Sequence, residues 1–144
     1  MDPFPEDTDG YAVIVFAWSD DGWVVADIPN RGWVVPSGRI EPGETVTEAA
    51  IRETYEEIGA RIEAPIYFGY YKIAISKESF RYMPTFHCTV ATYGELPAST
   101  ESRGVRTILP IDLPNQYWKW DGLVETVFSI AEKLCIAPNS HDLK

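Results

Sequence analysis

Three glutamates, Glu53, Glu56 and Glu57, are the residues of this chain best suited by type and spacing to bind a metal ion. On a helix their side chains fall within an arc of about 100°, with Arg52 beside them. Like charges at this spacing cost about 0.2 to 0.5 kcal/mol per pair, so a compensating charge is needed. Arg52 supplies part of it. A divalent cation would supply more, and oxygen ligands suit Mg²⁺ or Mn²⁺. A solvated acidic helix face is the alternative interpretation.

The helix that must carry these glutamates is predicted between Thr45 and Gly59. Thr45 and Glu48 have the spacing of a capping box, and Gly59 occupies the position of a left-handed C-cap. An apolar face would pack against a sheet, so the acidic arc is expected on the opposite face. That apolar face is formed by Val46, Ala50, Ile51, Thr54, Tyr55 and Ile58.

The segment from residue 36 into this helix resembles the Nudix box. The family pattern is Gly, five residues, Glu, seven residues, Arg-Glu, an apolar residue, any residue, Glu-Glu, any residue, Gly and an apolar residue. A chance match at all seven fixed positions has a probability on the order of 10⁻⁹ per register. Ser37 replaces the first glycine of the usual Gly-Gly pair, and Thr54 replaces a larger apolar residue, but neither change removes a ligand. The fixed positions are occupied by Gly38, Glu44, Arg52, Glu53, Glu56, Glu57 and Gly59.

The resemblance implies a role for each of these residues. The metal ligands would be Glu53, Glu56, Glu57 and the Gly38 carbonyl. Arg52 would orient Glu53 or Glu44 through charge-assisted hydrogen bonds. Glu101, in a predicted loop, resembles the additional glutamate that accepts a proton in some members of the family; an exposed carboxylate without a role is the alternative. The catalytic set is thus Arg52, Glu53, Glu44 and Glu101. Crowded carboxylates should have raised pKa values without metal, so we expect activity to rise toward alkaline pH.

The same resemblance implies a metal-dependent hydrolase, with Mg²⁺ as the cofactor and Mn²⁺ as a substitute. Its substrate would be a nucleoside diphosphate linked to another group, with a nucleoside triphosphate, as in MutT-like members, the first expectation. A nucleotide-sugar (ADP-ribose-like) pyrophosphatase and a non-catalytic nucleotide-sensing module are the alternatives. Tyr70 and Tyr82 could stack on a base, and Asn115 could read a base edge, although aromatic residues at such positions are commonly core.

Composition restricts the partners of the chain. Its 144 residues, 45% of them hydrophobic, are enough for one domain with a core. A net charge of −10 would repel a nucleic-acid polymer. The longest apolar run, residues 11–18, is far shorter than the roughly 20 residues of a membrane span, and the acidic start does not resemble a targeting leader. Two cysteines form no disulfide framework. We expect a cytoplasmic monomer or homodimer that binds a small-molecule nucleotide.

Strands are predicted on both sides of the acidic helix, which indicates an α/β fold. The resemblance implies a Nudix-type α/β/α sandwich with a mixed β-sheet and a short antiparallel hairpin, here 65–76 with 82–93. A second helix is predicted at 121–134, and a polar loop at 94–103. We expect a flexible acidic N-terminus at 1–9, a single domain at 10–136 and a flexible C-terminal tail at 137–144. The remaining strands are predicted at 11–18, 23–27, 33–35 and 105–109.

Overall fold

The elements follow the predicted order, with one additional strand and one additional short helix, α2. The computed structural model describes residues 10–20 and 22–141, and side chains as far as 135. The additional strand is β4, three residues between the predicted strand 33–35 and the acidic helix, which pair with β1. A 3₁₀ turn at Pro110–Asp112 precedes α2. The elements are β1 (Ala12–Ser19), β2 (Gly22–Ile28), β3 (Gly32–Val34), β4 (Ser37–Arg39), α1 (Val46–Ile58), β5 (Ile66–Ala74), β6 (Phe80–Thr89), β7 (Val105–Ile108), α2 (Leu113–Gln116) and α3 (Gly122–His141).

The sheet is mixed, as predicted, and β1 is its central strand. The strand order is β3-β2-β1-β6-β5, with β4 paired to β1 and β7 to β2. Only the β1–β6 pair is parallel among the strands described. On its other side β1 pairs with β4 at Ala12–Ile14 and with β2 at Trp18–Ser19. On this edge β4 pairs with the N-terminal end of β1 and β2 with its C-terminal end, so the sheet divides between them. The chain that joins β2 to β4 crosses this division.

Side chains of β1 alternate between two buried layers, which confirms a strand covered on both faces. Val13 and Val15 belong to the layer beneath α1. Phe16 belongs to the layer beneath α3, where its ring lies 4.9 Å from that of Phe128 and 6.0 Å from that of Trp23. Helices therefore cover both faces of the sheet, and the predicted α/β/α sandwich is confirmed.

The two ends of α1 are those the sequence predicts. Thr45 accepts a hydrogen bond from the Glu48 N–H, and the Glu48 side chain accepts one from the Thr45 N–H. Gly59 has φ 69°, and a methyl group there would also overlap the backbone of Glu95. A larger residue at this position would therefore strain the backbone and clash with Glu95.

The predicted faces of α1 need a correction. Ala50, Thr54 and Ile58 are buried as predicted, but Ile51 and Tyr55 are only half-buried. Glu53 and Glu57 are buried rather than facing solvent. The reason is β4, which packs against the acidic side of α1 and extends the sheet beneath it.

The ends of β6 and α3 also differ from the predictions. Strand β6 ends at Thr89 because the chain beyond it turns toward α1, where the Gly94 N–H donates to the Ile58 carbonyl at 2.7 Å. Helix α3 continues to His141, past the predicted end at Leu134, so the backbone of 137–141 extends this helix. Residues 1–9 and 142–144, parts of the two predicted flexible ends, lie outside the described residues. No helix within the described part is both long and apolar enough to cross a membrane.

Candidate active site

Arg52 organises the acidic residues of α1 and of the loop before it. Its Nε and Nη2 atoms donate to the two carboxylate oxygens of Glu44 at 2.7 and 2.9 Å. Nη1 donates to Glu53 at 2.8 Å and to Glu56 at 2.7 Å, and Nη2 also donates to the Arg39 carbonyl at 2.9 Å. Each of the five guanidinium N–H groups thus has an acceptor, which a lysine could not reproduce. The hydrogen bond from Arg52 lowers the pKa of Glu44 below its ordinary value.

Glu53 and Glu57 are buried carboxylates with raised pKa values. Burial raises the pKa of Glu57 to about 8, although the Ser37 N–H donates to it at 2.9 Å. Burial also raises the pKa of Glu53, opposed by Arg52. Repulsion from neighbouring carboxylates, including that of Glu101, contributes less than burial to the rise of these two pKa values. The predicted direction is confirmed, but its main cause is burial rather than mutual repulsion.

Gly38 is required for space beside Glu53. It lies in β4 opposite Val13, and a methyl group at its Cα would overlap the Glu53 carboxylate. The φ angle of Gly38 is not in the left-handed region, so the requirement is one of close approach alone. The absence of a side chain at Gly38 therefore lets β4 lie directly against the acidic side of α1.

Five of the seven fixed box residues, together with Glu101, line one cleft of about 340 Å³, which we call the acidic cleft. Glu101 reaches it from the loop that precedes β7 and is exposed. Glu44 does not line the cleft; it contacts Arg52, which does. The lining is Arg31, Ser37, Gly38, Arg39, Arg52, Glu53, Glu56, Glu57, Ser99, Thr100 and Glu101.

The donors of the acidic cleft fit a hard divalent cation. They are carboxylate, carbonyl and hydroxyl oxygens, the ligand chemistry of Mg²⁺ and Mn²⁺. Among the described side chains, those of residues 10–20 and 22–135, no three His, Cys, Asp or Glu already converge as a metal-binding group. Arg52 draws Glu53 and Glu56 to itself, and the Ser37 N–H holds Glu57. A cation in this cleft would therefore share its ligands with Arg52.

A second cavity, of about 350 Å³, adjoins the acidic cleft and is mostly apolar. We call it the apolar pocket. It lies between the sheet and the start of α3, and it shares Arg31 and Ser37 with the acidic cleft. The Tyr117 hydroxyl accepts a hydrogen bond from the Val35 N–H at 3.0 Å, which fixes the ring in the pocket wall. The other lining residues are Ile14, Phe16, Val34, Val35, Tyr71, Ile73, Met83, Trp118, Lys119, Asp121, Val124 and Phe128.

Comparison with known families agrees with this arrangement. The model of the NUDIX domain matches residues 8–124, most of the chain. The chain belongs to the Nudix hydrolase family. A putative 8-oxo-dGTP diphosphatase of Bacillus subtilis is 33% identical over 110 residues, which cover 74% of this Nudix chain and 70% of that protein.

Other Nudix relatives match a shorter stretch. The putative 8-oxo-dGTP diphosphatase YtkD of Bacillus subtilis is 43% identical over 51 residues, and Nudix hydrolase 3 of Caenorhabditis elegans is 48% identical over 51 residues. The chain covers only 32% and 21% of the lengths of these two proteins.

Solved structures share the Nudix fold over most of the chain. A variant of the Bacillus subtilis pyrophosphohydrolase BsRppH superposes with a TM-score of 0.73 at 27% identity, covering 92% of this chain and 84% of that one. The MutT protein of Bacillus halodurans superposes with a TM-score of 0.61 at 18% identity, covering 82% and 78%. At that identity the second likeness shows the fold alone.

The three residues predicted to bind the base, Tyr70, Tyr82 and Asn115, line neither the acidic cleft nor the apolar pocket. Tyr70 and Tyr82 have ring centroids 5.7 Å apart, and neither lines the apolar pocket or the acidic cleft. Their neighbours Tyr71 and Met83 line the pocket instead, because successive side chains of a strand point to opposite faces. Asn115 is exposed in α2 and also lines neither cavity.

Five polar residues of the acidic cleft had no predicted role: Arg31, Ser37, Arg39, Ser99 and Thr100. Arg31 follows the predicted strand 23–27 in a segment rich in turn-forming residues, and Ser37 is a departure from the Nudix box. The turn composition around Arg31 gave no sign that its side chain would reach the cleft. The departure at Ser37 was itself a signal, because a serine in place of a box glycine adds a polar group beside the ligands.

Proposed function

We propose that this Nudix protein hydrolyses a phosphoanhydride bond of a nucleoside triphosphate in a Mg²⁺-dependent reaction, with Mn²⁺ as a substitute. The observation that carries the proposal is the contact between two unlike cavities. An acidic cleft suited to cations and phosphates adjoins an apolar pocket large enough to take a nucleobase. The names of the Bacillus subtilis relatives, 8-oxo-dGTP diphosphatase and pyrophosphohydrolase, support the same reaction class.

In this proposal the metal ligands are Glu53, Glu56, Glu57 and the Gly38 carbonyl. The bound metal supplies charge neutralisation on the phosphates and lowers the pKa of water. Arg52 holds Glu53 and Glu56 in position while the carboxylates are ionised. Burial favours protonation of Glu53 and Glu57, so these residues bind a cation best once they have lost their protons.

Glu101 is the proposed acceptor of the proton from the attacking water. It lines the acidic cleft from outside α1, and no hydrogen bond from Arg52 to it is present. Glu53, by contrast, accepts a hydrogen bond from Arg52 and is a metal ligand in this proposal, so its carboxylate oxygens are already engaged. Glu44 acts through Arg52 rather than on the substrate, because it lies outside the cleft lining.

Electrostatics make the metal requirement strict. The chain carries a net charge of −10, and four glutamates line the cleft in which an anionic phosphate chain would bind. Without cations, binding would bring like charges together in a partly buried cleft, where screening by water is weak. A small nucleotide whose charge is neutralised by the metal therefore fits better than a long polyanion.

We expect the protein to be a cytoplasmic monomer or homodimer.

A substrate panel tests the proposal. Nucleoside triphosphates, including 8-oxo-dGTP, and nucleotide sugars would be incubated with Mg²⁺ or with a chelator, and the release of phosphate and pyrophosphate measured. We expect turnover of triphosphates that requires metal, is lost in Glu57→Gln, and persists in the matched control Glu63→Gln. Glu63 is exposed and lines neither cavity of the site. Binding without turnover by any substrate would favour the sensing module, and turnover of nucleotide sugars alone would favour the pyrophosphatase alternative.

A further inference from the structure

The junction between the two cavities has its own chemistry. Arg31 and Ser37 are the two residues that line both the acidic cleft and the apolar pocket. A ligand that fills both cavities must pass between them. In a nucleotide, the group at that place is the phosphate attached to the nucleoside, because it separates the base and sugar from the rest of the phosphate chain.

Arg31 is placed at this junction by the turn after β2. Asn30 has φ 68°, and the Arg31 N–H donates to the Ile28 carbonyl at 3.0 Å, so the backbone is fixed while the side chain is exposed. The guanidinium carbon lies 6.0 Å from the ring centroid of Trp118, which lines the apolar pocket. No carboxylate of the described residues lies within ion-pair distance of Arg31.

Arg31 forms no ion pair with a described residue, although it borders the acidic cleft. Acidic residues outnumber basic ones by 22 to 12, and the guanidinium adjoins a cleft lined by four glutamates. Of the other two arginines that line the cleft, Arg52 has every N–H group engaged, and Arg39 lies over the Tyr11 ring. Arg31 therefore retains its donors for a ligand, and a planar guanidinium can hold a phosphate through two parallel hydrogen bonds.

Ser37 contributes a hydroxyl to the same junction. It opens β4 opposite Ile14, and its backbone N–H donates to Glu57, so the position of its Cα is fixed from two sides. Its φ angle is not in the left-handed region, so serine costs no backbone strain where the Nudix pattern has glycine. The departure from the box thus adds a hydrogen-bond donor beside the cleft and leaves the backbone unchanged.

We propose that Arg31 and Ser37 form a binding site for the phosphate next to the nucleoside. This inference rests on the proposed function, since it assigns the base to the apolar pocket and the outer phosphates to the acidic cleft. Arg31 supplies most of the binding because it is charged and can bind in a bidentate manner, and Ser37 supplies one neutral hydrogen bond. The pair determines whether a ligand in the apolar pocket is recognised as a nucleotide or only as a base.

Binding of monophosphates and nucleosides, without metal, tests this site. The intact protein with chelator present would be titrated with the four ribonucleoside 5′-monophosphates and the corresponding nucleosides, following tryptophan fluorescence. We expect Arg31→Ala to weaken binding of a monophosphate on the order of 10- to 100-fold and to leave the nucleoside unchanged. Ser37→Ala should weaken binding of the monophosphate by a smaller factor, roughly 3- to 10-fold. Arg31→Lys should restore part of the affinity lost in Arg31→Ala.

The control variant is Arg61→Ala, which removes an exposed arginine that lies over the Tyr55 ring and lines neither cavity of the site. It should bind both kinds of ligand as the wild type does. Equal losses for nucleoside and monophosphate in Arg31→Ala would overturn the inference, because they would show that Arg31 only shapes the pocket. No loss, or no binding of any monophosphate to the wild type, would overturn it as well. If monophosphate binding depends on Arg31 but no substrate is hydrolysed, the inference stands and the proposed hydrolase activity fails.

Discussion

Replacing Glu57 by glutamine should stabilise the metal-free protein at alkaline pH. Glu57 is 5% exposed, and burial raises the pKa of its carboxyl group to about 8. Glutamine has nearly the same shape, and its carbonyl oxygen can still accept the hydrogen bond that the Ser37 N–H donates at 2.9 Å. The substitution therefore removes a buried charge while keeping the packing and the hydrogen bond.

The size of the effect follows from the pKa of Glu57. A pKa of about 8 in the folded state against an ordinary value of 4.5 corresponds to about 5 kcal/mol of stability. The folded state binds the proton more tightly, so this stability is present below pH 4.5 and is lost as the pH rises through about 8. Burying the glutamine amide costs about 1 to 3 kcal/mol. The variant should therefore exceed the wild type by about 2 to 4 kcal/mol at about pH 9.

Urea unfolding followed by circular dichroism, with a chelator present, measures this difference. At about pH 5, where the wild-type carboxyl is protonated, the variant should equal the wild type or be less stable by up to about 2 kcal/mol, and its relative stability should increase as the pH rises. Glu63→Gln, which removes an exposed carboxylate, should follow the wild type throughout. A Glu57→Gln protein less stable than the wild type at both pH values would show that the charged form of Glu57 contributes to folding, contrary to this reasoning.

Three further predictions concern the positioning of the acidic residues. Arg52→Lys should lower turnover on the order of 100-fold with an unchanged circular dichroism spectrum, because lysine cannot hold Glu44, Glu53 and Glu56 together; full activity would contradict the role given to the guanidinium. Gly38→Ala should fold but lose at least about 10-fold in turnover, since its methyl group displaces the Glu53 carboxylate; a melting curve that shows no folded protein would instead indicate a structural requirement. Turnover at saturating Mg²⁺ should rise between about pH 6 and pH 8, as Glu57 loses its proton, and a flat profile would count against metal binding by this carboxylate.

The local part of the site was predictable from the sequence. The capping box at Thr45 and the glycine at 59 fix the ends of α1, and the spacing of the Nudix box fixes which residues neighbour Arg52. The contacts of Arg52 with Glu44 and Glu53 follow from that spacing. All of this information lies within one continuous stretch of chain, so no knowledge of distant residues was required.

The burial of the glutamates and the lining of the apolar pocket depend instead on contacts between distant parts of the chain. Glu53 and Glu57 are buried because β4 pairs with β1, and three residues of loop-like sequence do not reveal that pairing. The face of β5 that lines the apolar pocket was also not predictable, because a bulge between Tyr67 and Gly69 resets the alternation of side chains. Tyr71, rather than Tyr70, therefore lines the pocket.

The parallel pairing of β1 with β6 has a consequence for synthesis on the ribosome. Ile14 pairs with Thr85, roughly seventy residues later in the chain, so the central strand acquires this neighbour only after β6 has been translated. Until then an apolar, β-branched strand has an open edge, which can pair with another nascent chain. A pause in translation before β6 would prolong that interval and with it the risk of aggregation.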